Sequence, residues 1–171
     1  LILPSGAGSS SDIMARIFSQ RFSEAWGQPL VVDNRAGAAG IIGAEIAARA
    51  APDGYTIGGF NDSILTMVPN INPNTPFNPL TDFSYITLAA AIEFSASVAI
   101  TSRFKNIGEL VAAAKAAPDT ITYASGGIGS PQHIAGALFS SHTGTKLKHV
   151  PYKGASQAAQ GTAAGEVDVT F

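Results

Sequence analysis

Cysteine is missing from all 171 residues. That absence removes disulfides, thiolate metal ligands and thiol nucleophiles together, and it is compatible with the cytoplasm or the periplasm without deciding between them. Charge is scarce: Asp, Glu, Lys and Arg make up 13% of the chain and the formal net charge is −2. No basic field exists to hold nucleic acid or an acidic membrane surface. No apolar run approaches the roughly 20 residues that cross a bilayer, and no basic start leads into an apolar stretch. Hydrophobic residues still account for 46% of the sequence, enough for one good core or two small lobes.

Catalytic signatures are scarce as well. There is no Gly-x-x-x-x-Gly-Lys-[Ser/Thr] segment for nucleotide phosphates and no Gly-x-Ser-x-Gly elbow for a hydrolase. His142 and His149 have no partner at metal-ligand spacing and read as structural or surface residues. Lys153, at a loop end, reads as solvated. Ser130 and His133, three residues apart, suit lining one site together better than acting as nucleophile and base. No catalytic residue, metal ligand or cofactor is assigned.

What is present is an α/β pattern. Leu1-Ile2-Leu3-Pro4 reads as the tail of a buried strand whose beginning is missing. Met14, Phe18, Phe22 and Trp26 fall at helical spacing, so a helix is expected over Asp12–Trp26, stopped by Gly27. Leu30–Val32 is expected as a strand, Gly40–Ala50 as a small-residue helix and Tyr55–Phe60 as a third strand. This βαβαβ order predicts a parallel sheet covered by helices, with a ligand crevice beyond the C-terminal ends of the strands. Asn70–Pro79, dense in proline and asparagine, is expected to be irregular. Tyr85–Ile100 reads as extended chain crossing between lobes.

A second α/β pattern starts at Asn106, which has capping-box spacing to Glu109 ahead of a helix to Ala117. Strands are expected at Thr120–Ala124, at His149–Tyr152 and at Val167–Phe171, and helices at Pro131–Ser141 and Ala155–Ala164. The last strand has no return connection, so the C-terminal end reads as incomplete. The two patterns divide the chain into lobes at 1–96 and 97–171.

Two loops stand out. Ser5-Gly6-Ala7-Gly8-Ser9-Ser10-Ser11 and Ser125-Gly126-Gly127-Ile128-Gly129-Ser130 each join a strand to a helix start and contain no Lys or Arg. Glycines allow close backbone approach, and the first N–H groups of a helix lack internal partners, so such loops can accept an anion on neutral donors. This suits carboxylates better than polyphosphates. Ser130 fits an N-cap, Pro131 the first helical position, and His133 falls in the first turn near the positive end of the dipole. A carboxylate there gains about 0.3–1 kcal/mol from the dipole besides its hydrogen bonds. The plain alternative is an ordinary glycine-rich connection with an exposed His133. Asn61-Asp62-Ser63, after the third strand, takes the other crevice position, with a simple helix cap as its alternative.

Five segments in order resemble one family: Pro4–Arg16, Val31–Gly43, Ala51–Tyr55, Tyr123–His133 and His149–Gly154. The chain is similar to the Bug-type solute receptors of tripartite tricarboxylate transporters. The resemblance implies a periplasmic binding protein of the Venus-flytrap, type II-like class. Two α/β lobes close on a small carboxylate, which is delivered to the transporter's membrane subunits without catalysis. It carries ligand binding onto Gly6, Ala7, Gly8 and Ser9, onto Asn61, Asp62 and Ser63, and onto Ser125, Gly126, Gly127, Gly129, Ser130 and His133. Two departures stand out: Ser9–Ser11 replace a glycine-dense stretch, and Asp62 puts a carboxylate where an anion is to bind. Dicarboxylates, citrate, acidic amino acids and aromatic acids such as nicotinate all fit these donors. The family also runs well beyond the equivalent of Phe171. The rival readings are an isomerase or lyase using His133 as acid or base, and a sensory or scaffold protein presenting a surface to a partner.

Overall fold

The computed structural model describes residues 1–171. The chain divides into two compact units, Leu1–Tyr85 and Ile86–Phe171. From Ile86 onward the extended segment belongs to the second unit, and Ser97 forms an antiparallel bridge with Thr170.

In the first unit, β1 (Ile2–Leu3) pairs in parallel with β2 (Asp33–Asn34), and Ile2 also bridges Gly58 in parallel. The expected second strand therefore sits a few residues later than Leu30–Val32. The third is a single bridge, held by Ile2 N–H to the Ile57 carbonyl at 2.8 Å and Gly59 N–H to the Ile2 carbonyl at 2.9 Å. Two buried residues in β1 give each neighbour only a short ladder to join.

Between the strands lies α1 (Ser10–Trp26), capped by Ser9 and ended by Gly27 in the left-handed conformation. The apolar stripe that reveals this helix is buried only in part: Met14 and Phe18 are half-buried beside the buried Asp12 and Ala15, while Phe22 and Trp26 stack on each other at 4.6 Å and stay exposed. Hydrogen bonds tie the helix to the chain that follows it. Ser19 Oγ donates to the Leu30 carbonyl, and Leu30 N–H donates to Ser23 Oγ. A 3-10 turn (Ala38–Gly40) leads into α2 (Ile41–Ala48), whose small residues let it approach the chain after β1: a Cβ on Gly43 would lie 2.9 Å from Pro4 Cα. A π-helical turn (Ser63–Met67) then runs into α3 (Val68–Ile71), so Asn70 and Ile71 close a helix where irregular chain was expected. Ala44, Ile64 and Phe77 form this unit's core, with Phe60 and Phe83 packed against it.

The second unit has a three-stranded parallel sheet in the order β4 (Lys148–Pro151), β3 (Thr122–Ser125), β5 (Val169–Thr170). Around it lie α4 (Ile107–Ala116), α5 (Pro131–Thr143) and α6 (Ala155–Ala163). Asn106 caps α4 through Glu109 N–H, but Glu109 reaches back to Lys105 N–H and not to that of Asn106, so the reciprocal half of the capping box is shifted by one residue. Leu110, Ile121 and Val169 are fully buried, each stabilising the fold by about 1.5–3 kcal/mol. Gly136 brings α5 onto the Tyr123 ring and Gly161 brings α6 onto Tyr152. The parallel strands all end at one edge of the sheet, where the Ser125–Ser130 loop and the start of α6 meet. No helix of the chain is long and apolar enough to cross a membrane.

Candidate ligand-binding site

In the first unit, the loop after β1 is held by its own carboxylate. Asp12, with a side chain only 4% exposed, accepts the Gly8 N–H at 2.9 Å and the Arg16 Nε–H at 3.0 Å. Arg16 Nη2 continues to Asn34 Oδ1, and Asn34 Nδ2 donates to the Ser5 carbonyl at 3.1 Å. Ser9 Oγ donates to Ser5 Oγ and accepts from Asp12 N–H. The Arg16 and Gly8 donors hold the Asp12 carboxyl down at about 2. Of the expected binding residues here, Gly8 has its N–H committed to Asp12, whereas Gly6 faces open space: a Cβ added there meets nothing within 4 Å.

Asn61, Asp62 and Ser63 follow the bridge at Gly58, at the same edge of the first unit. Asn61 Oδ1 accepts Ile64 N–H at 3.1 Å, and Asp62 Oδ1 accepts Ser63 N–H at 2.9 Å. Ser63 is fully buried. The Asp62 carboxylate is thus turned into the helix start.

The second-unit loop is built more tightly. Ser125 is fully buried at the end of β3, and its Oγ accepts Gly127 N–H at 3.1 Å. Gly127 and Gly129 have φ of 118° and 86°, a region that favours glycine, so the chain can turn twice within three residues. Ser130 caps α5 through His133 N–H, and Gly129 N–H donates to His133 Nδ1 at 3.1 Å. A Cβ on Gly126 would lie 3.0 Å from Ala155 N, so the loop runs against the first turn of α6, whose cap residue Gly154 offers no side-chain acceptor. Ser125, Gly126, Gly127, Gly129, Ser130 and His133 are therefore gathered in one loop.

His149 is the residue that sequence reasoning set aside. It stands on β4 directly opposite Tyr123 of β3, stacks on that ring at 4.8 Å and lies 4.4 Å from the His133 ring. Its Nε2 is 2.5 Å from Ser125 Oγ. No spacing along the chain signals this: Tyr123 and His149 are brought level only by the register of β3 and β4. Burial holds both imidazoles below the ordinary range, and His133 adds a repulsive push on His149. His142 is exposed in the last turn of α5 beside the Leu138 carbonyl, as expected of a structural residue. No group of three His, Cys, Asp or Glu side chains that could hold a metal ion occurs.

Each unit thus carries one strand-to-helix loop with neutral donors. The family described as "Tripartite tricarboxylate transporter family receptor" matches residues 14–171. The chain belongs to this family. Among curated relatives of the receptor, the "UPF0065 protein in tcbD-tcbE intergenic region" of Pseudomonas sp. (strain P51) is 39% identical over 168 residues, which is 98% of this chain and 50% of that protein. The chain thus spans about half the length of the curated relatives it matches. Two solved structures share the receptor fold. R. palustris Rpa4515, solved with adipate, has a TM-score of 0.94 at 30% identity, over 98% of this chain and 57% of that one. The periplasmic binding protein BugD has a TM-score of 0.86 at 30% identity, over 98% of this chain and 56% of that one. BugD is a periplasmic binding protein, the kind the five sequence segments pointed to.

Proposed function

We propose that this receptor chain captures a small carboxylate in the periplasm and serves the membrane subunits of a tripartite tricarboxylate transporter. The observation that carries the reading is the Ser125–His133 loop. It is a glycine turn between a buried strand and a serine-capped helix, set beside the start of α6, which has no side-chain cap, and its own residues include no Lys or Arg. Such a loop accepts one carboxylate on N–H groups and dipoles without the cations a polyphosphate needs. The first-unit loop, with Gly6 open and Asp12 holding Gly8 in place, offers a second set of donors. The adipate bound to the R. palustris relative supports a dicarboxylate as ligand.

We assign ligand contact to Gly6, Ala7 and Ser9 in the first unit and to the Ser125–His133 loop in the second. Within these loops Gly8, Gly127 and Gly129 commit their N–H groups to Asp12, Ser125 and His133 and set the loop shape, as Asp62 does at its helix start. The test is a thermal-shift screen of the chain against adipate, malate, citrate, glutamate and nicotinate. A ligand at ~100 times its dissociation constant adds ~2.7 kcal/mol of stability, which a melt resolves. The shift is expected to vanish in Gly127→Val, where φ of 118° excludes a branched side chain. Recovery of the acid chemically unchanged separates a receptor from an isomerase or lyase. A cooperative melt unmoved by every acid rejects the reading.

A further inference from the structure

Tyr123, His149 and His133 form a column of rings in the second unit, 4.8 Å and then 4.4 Å between centroids. One hydrogen bond sets a tautomer directly. Gly129 N–H donates to His133 Nδ1, so that nitrogen keeps its lone pair and the ring proton sits on Nε2. The contact between Ser125 Oγ and His149 Nε2 serves either tautomer of His149. In the one where the Ser125 hydroxyl donates to the Gly127 carbonyl at 3.2 Å, Oγ accepts from His149 Nε2–H and the lone pair lies on Nδ1, and it is this form that the proposal takes. One ring presents an N–H and the other a base.

Little around the pair favours an imidazolium. From β3 the titratable group facing it is Tyr123, itself raised by burial. From β4 there are Lys148 and His149, with Lys153 following; from α5 there are His133 and His142; α6 carries no ionisable side chain. The carboxylates that follow α6 are engaged elsewhere, Glu166 with Tyr152 Oη and Asp168 with Thr122 N–H and Oγ. An incoming carboxylate is then the first negative charge the rings meet, and an opposite charge at contact distance favours protonation.

We propose that binding of a carboxylate at the Ser125–His133 loop is coupled to uptake of one proton from solvent, gained at His149 Nδ1. This rests on the carboxylate-receptor reading above. A second proton is opposed twice, by repulsion from an imidazolium 4.4 Å away and by the Gly129 N–H that already fills His133 Nδ1. The ligand is held as an ion pair with His149 while His133 Nε2–H remains a neutral donor. Tyr123 and the sheet behind it keep the two rings stacked.

The experiment is isothermal titration of the chain with adipate and with malate, in buffers of low and of high ionisation enthalpy. It is repeated between about pH 8 and pH 6, the range in which histidine changes charge. The expected result is a buffer-dependent heat equivalent to at most one proton taken up per ligand. Affinity should rise as pH falls, by no more than about tenfold per pH unit. His149→Phe keeps the ring column and His149→Gln keeps a polar group, and both should bind without buffer dependence. Wild-type binding with equal heats in both buffers and a flat pH profile overturns the proposal and leaves the receptor reading standing. Proton uptake that persists in both variants overturns the assignment to His149. No heat with either acid in any buffer rejects the receptor reading, and the proposal with it.

Discussion

Gly136 lies so close to the face of Tyr123 that a Cβ on it would come within 2.3 Å of Tyr123 Cε2. The ring cannot yield freely, because His149 is stacked against it at 4.8 Å and Phe171 meets it edge-on at 6.1 Å. One glycine in a helix thus sets the position of the histidine at the candidate site. Gly136→Ala is expected to cost about 1–3 kcal/mol through overpacking, despite the better helix propensity of alanine. Urea unfolding measures the loss, and carboxylate affinity should fall with it as the Tyr123–His149–His133 column shifts.

Asp12 gives the first loop a pH dependence of its own. Its carboxyl sits at about 2 against an ordinary 3.8, chiefly through the Arg16 hydrogen bond and then the Gly8 N–H. A depressed carboxyl contributes stability that is fully present above about pH 4 and is lost as pH falls through about 2. Asp12→Asn removes the charge and one of the two acceptor atoms. It should be less stable than wild type at neutral pH, and the gap should narrow as acid protonates the wild-type group. Melting curves from pH 6 down to about pH 2 check this, and a constant gap across the series would contradict it.

Gly6 and Gly126 separate fold from function. A Cβ at Gly6 meets no atom within 4 Å, whereas at Gly126 it would press on Ala155 N at 3.0 Å and Gly154 C at 3.3 Å. Gly6→Ala should leave stability within about 0.5 kcal/mol of wild type, as for an unhindered surface substitution. Its effect should appear only on ligand affinity, where a methyl group blocks close approach to the loop backbone. Gly126→Ala should lower both, because the start of α6 must move. Parallel chemical denaturation and ligand titration of the two variants distinguish the cases.

These contrasts also mark what the sequence made legible. Helix ends were mostly readable because caps are local: Asn106, Ser130 and Gly27 act within four residues of themselves, whereas Ser9 starts α1 two residues before the expected Asp12. Strand extents were less readable, because a ladder needs a partner of matching length, and Ile2–Leu3 offers only two residues to Asp33–Asn34 and one bridge to Gly58. The Ser125–His133 loop was visible as a glycine turn before a serine cap. The commitment of Gly8 N–H to Asp12 was not, since it depends on the Asp12 side chain bending back to a donor four residues before it. His149 was hidden for a different reason. Its importance comes from register across β3 and β4, which no spacing along the chain reveals.

The two stacked imidazoles make the fold itself sensitive to pH. Burial lowers His133, and burial together with His133 lowers His149, both from an ordinary value of 6.5. As pH falls below about 6.5, the unfolded chain binds protons that the folded chain resists, so stability is complete above that value and declines through the folded pKa values. The decline lies well above the range in which Asp12 titrates, so the two transitions separate on one stability-against-pH curve. His149→Gln removes both the lowered His149 and the repulsion between the rings. It should flatten the decline between about pH 7 and pH 5 while leaving the Asp12 region unchanged. Guanidinium unfolding in half-unit pH steps measures both regions in the same samples. An unchanged slope in the variant would mean that the two rings do not titrate as a pair.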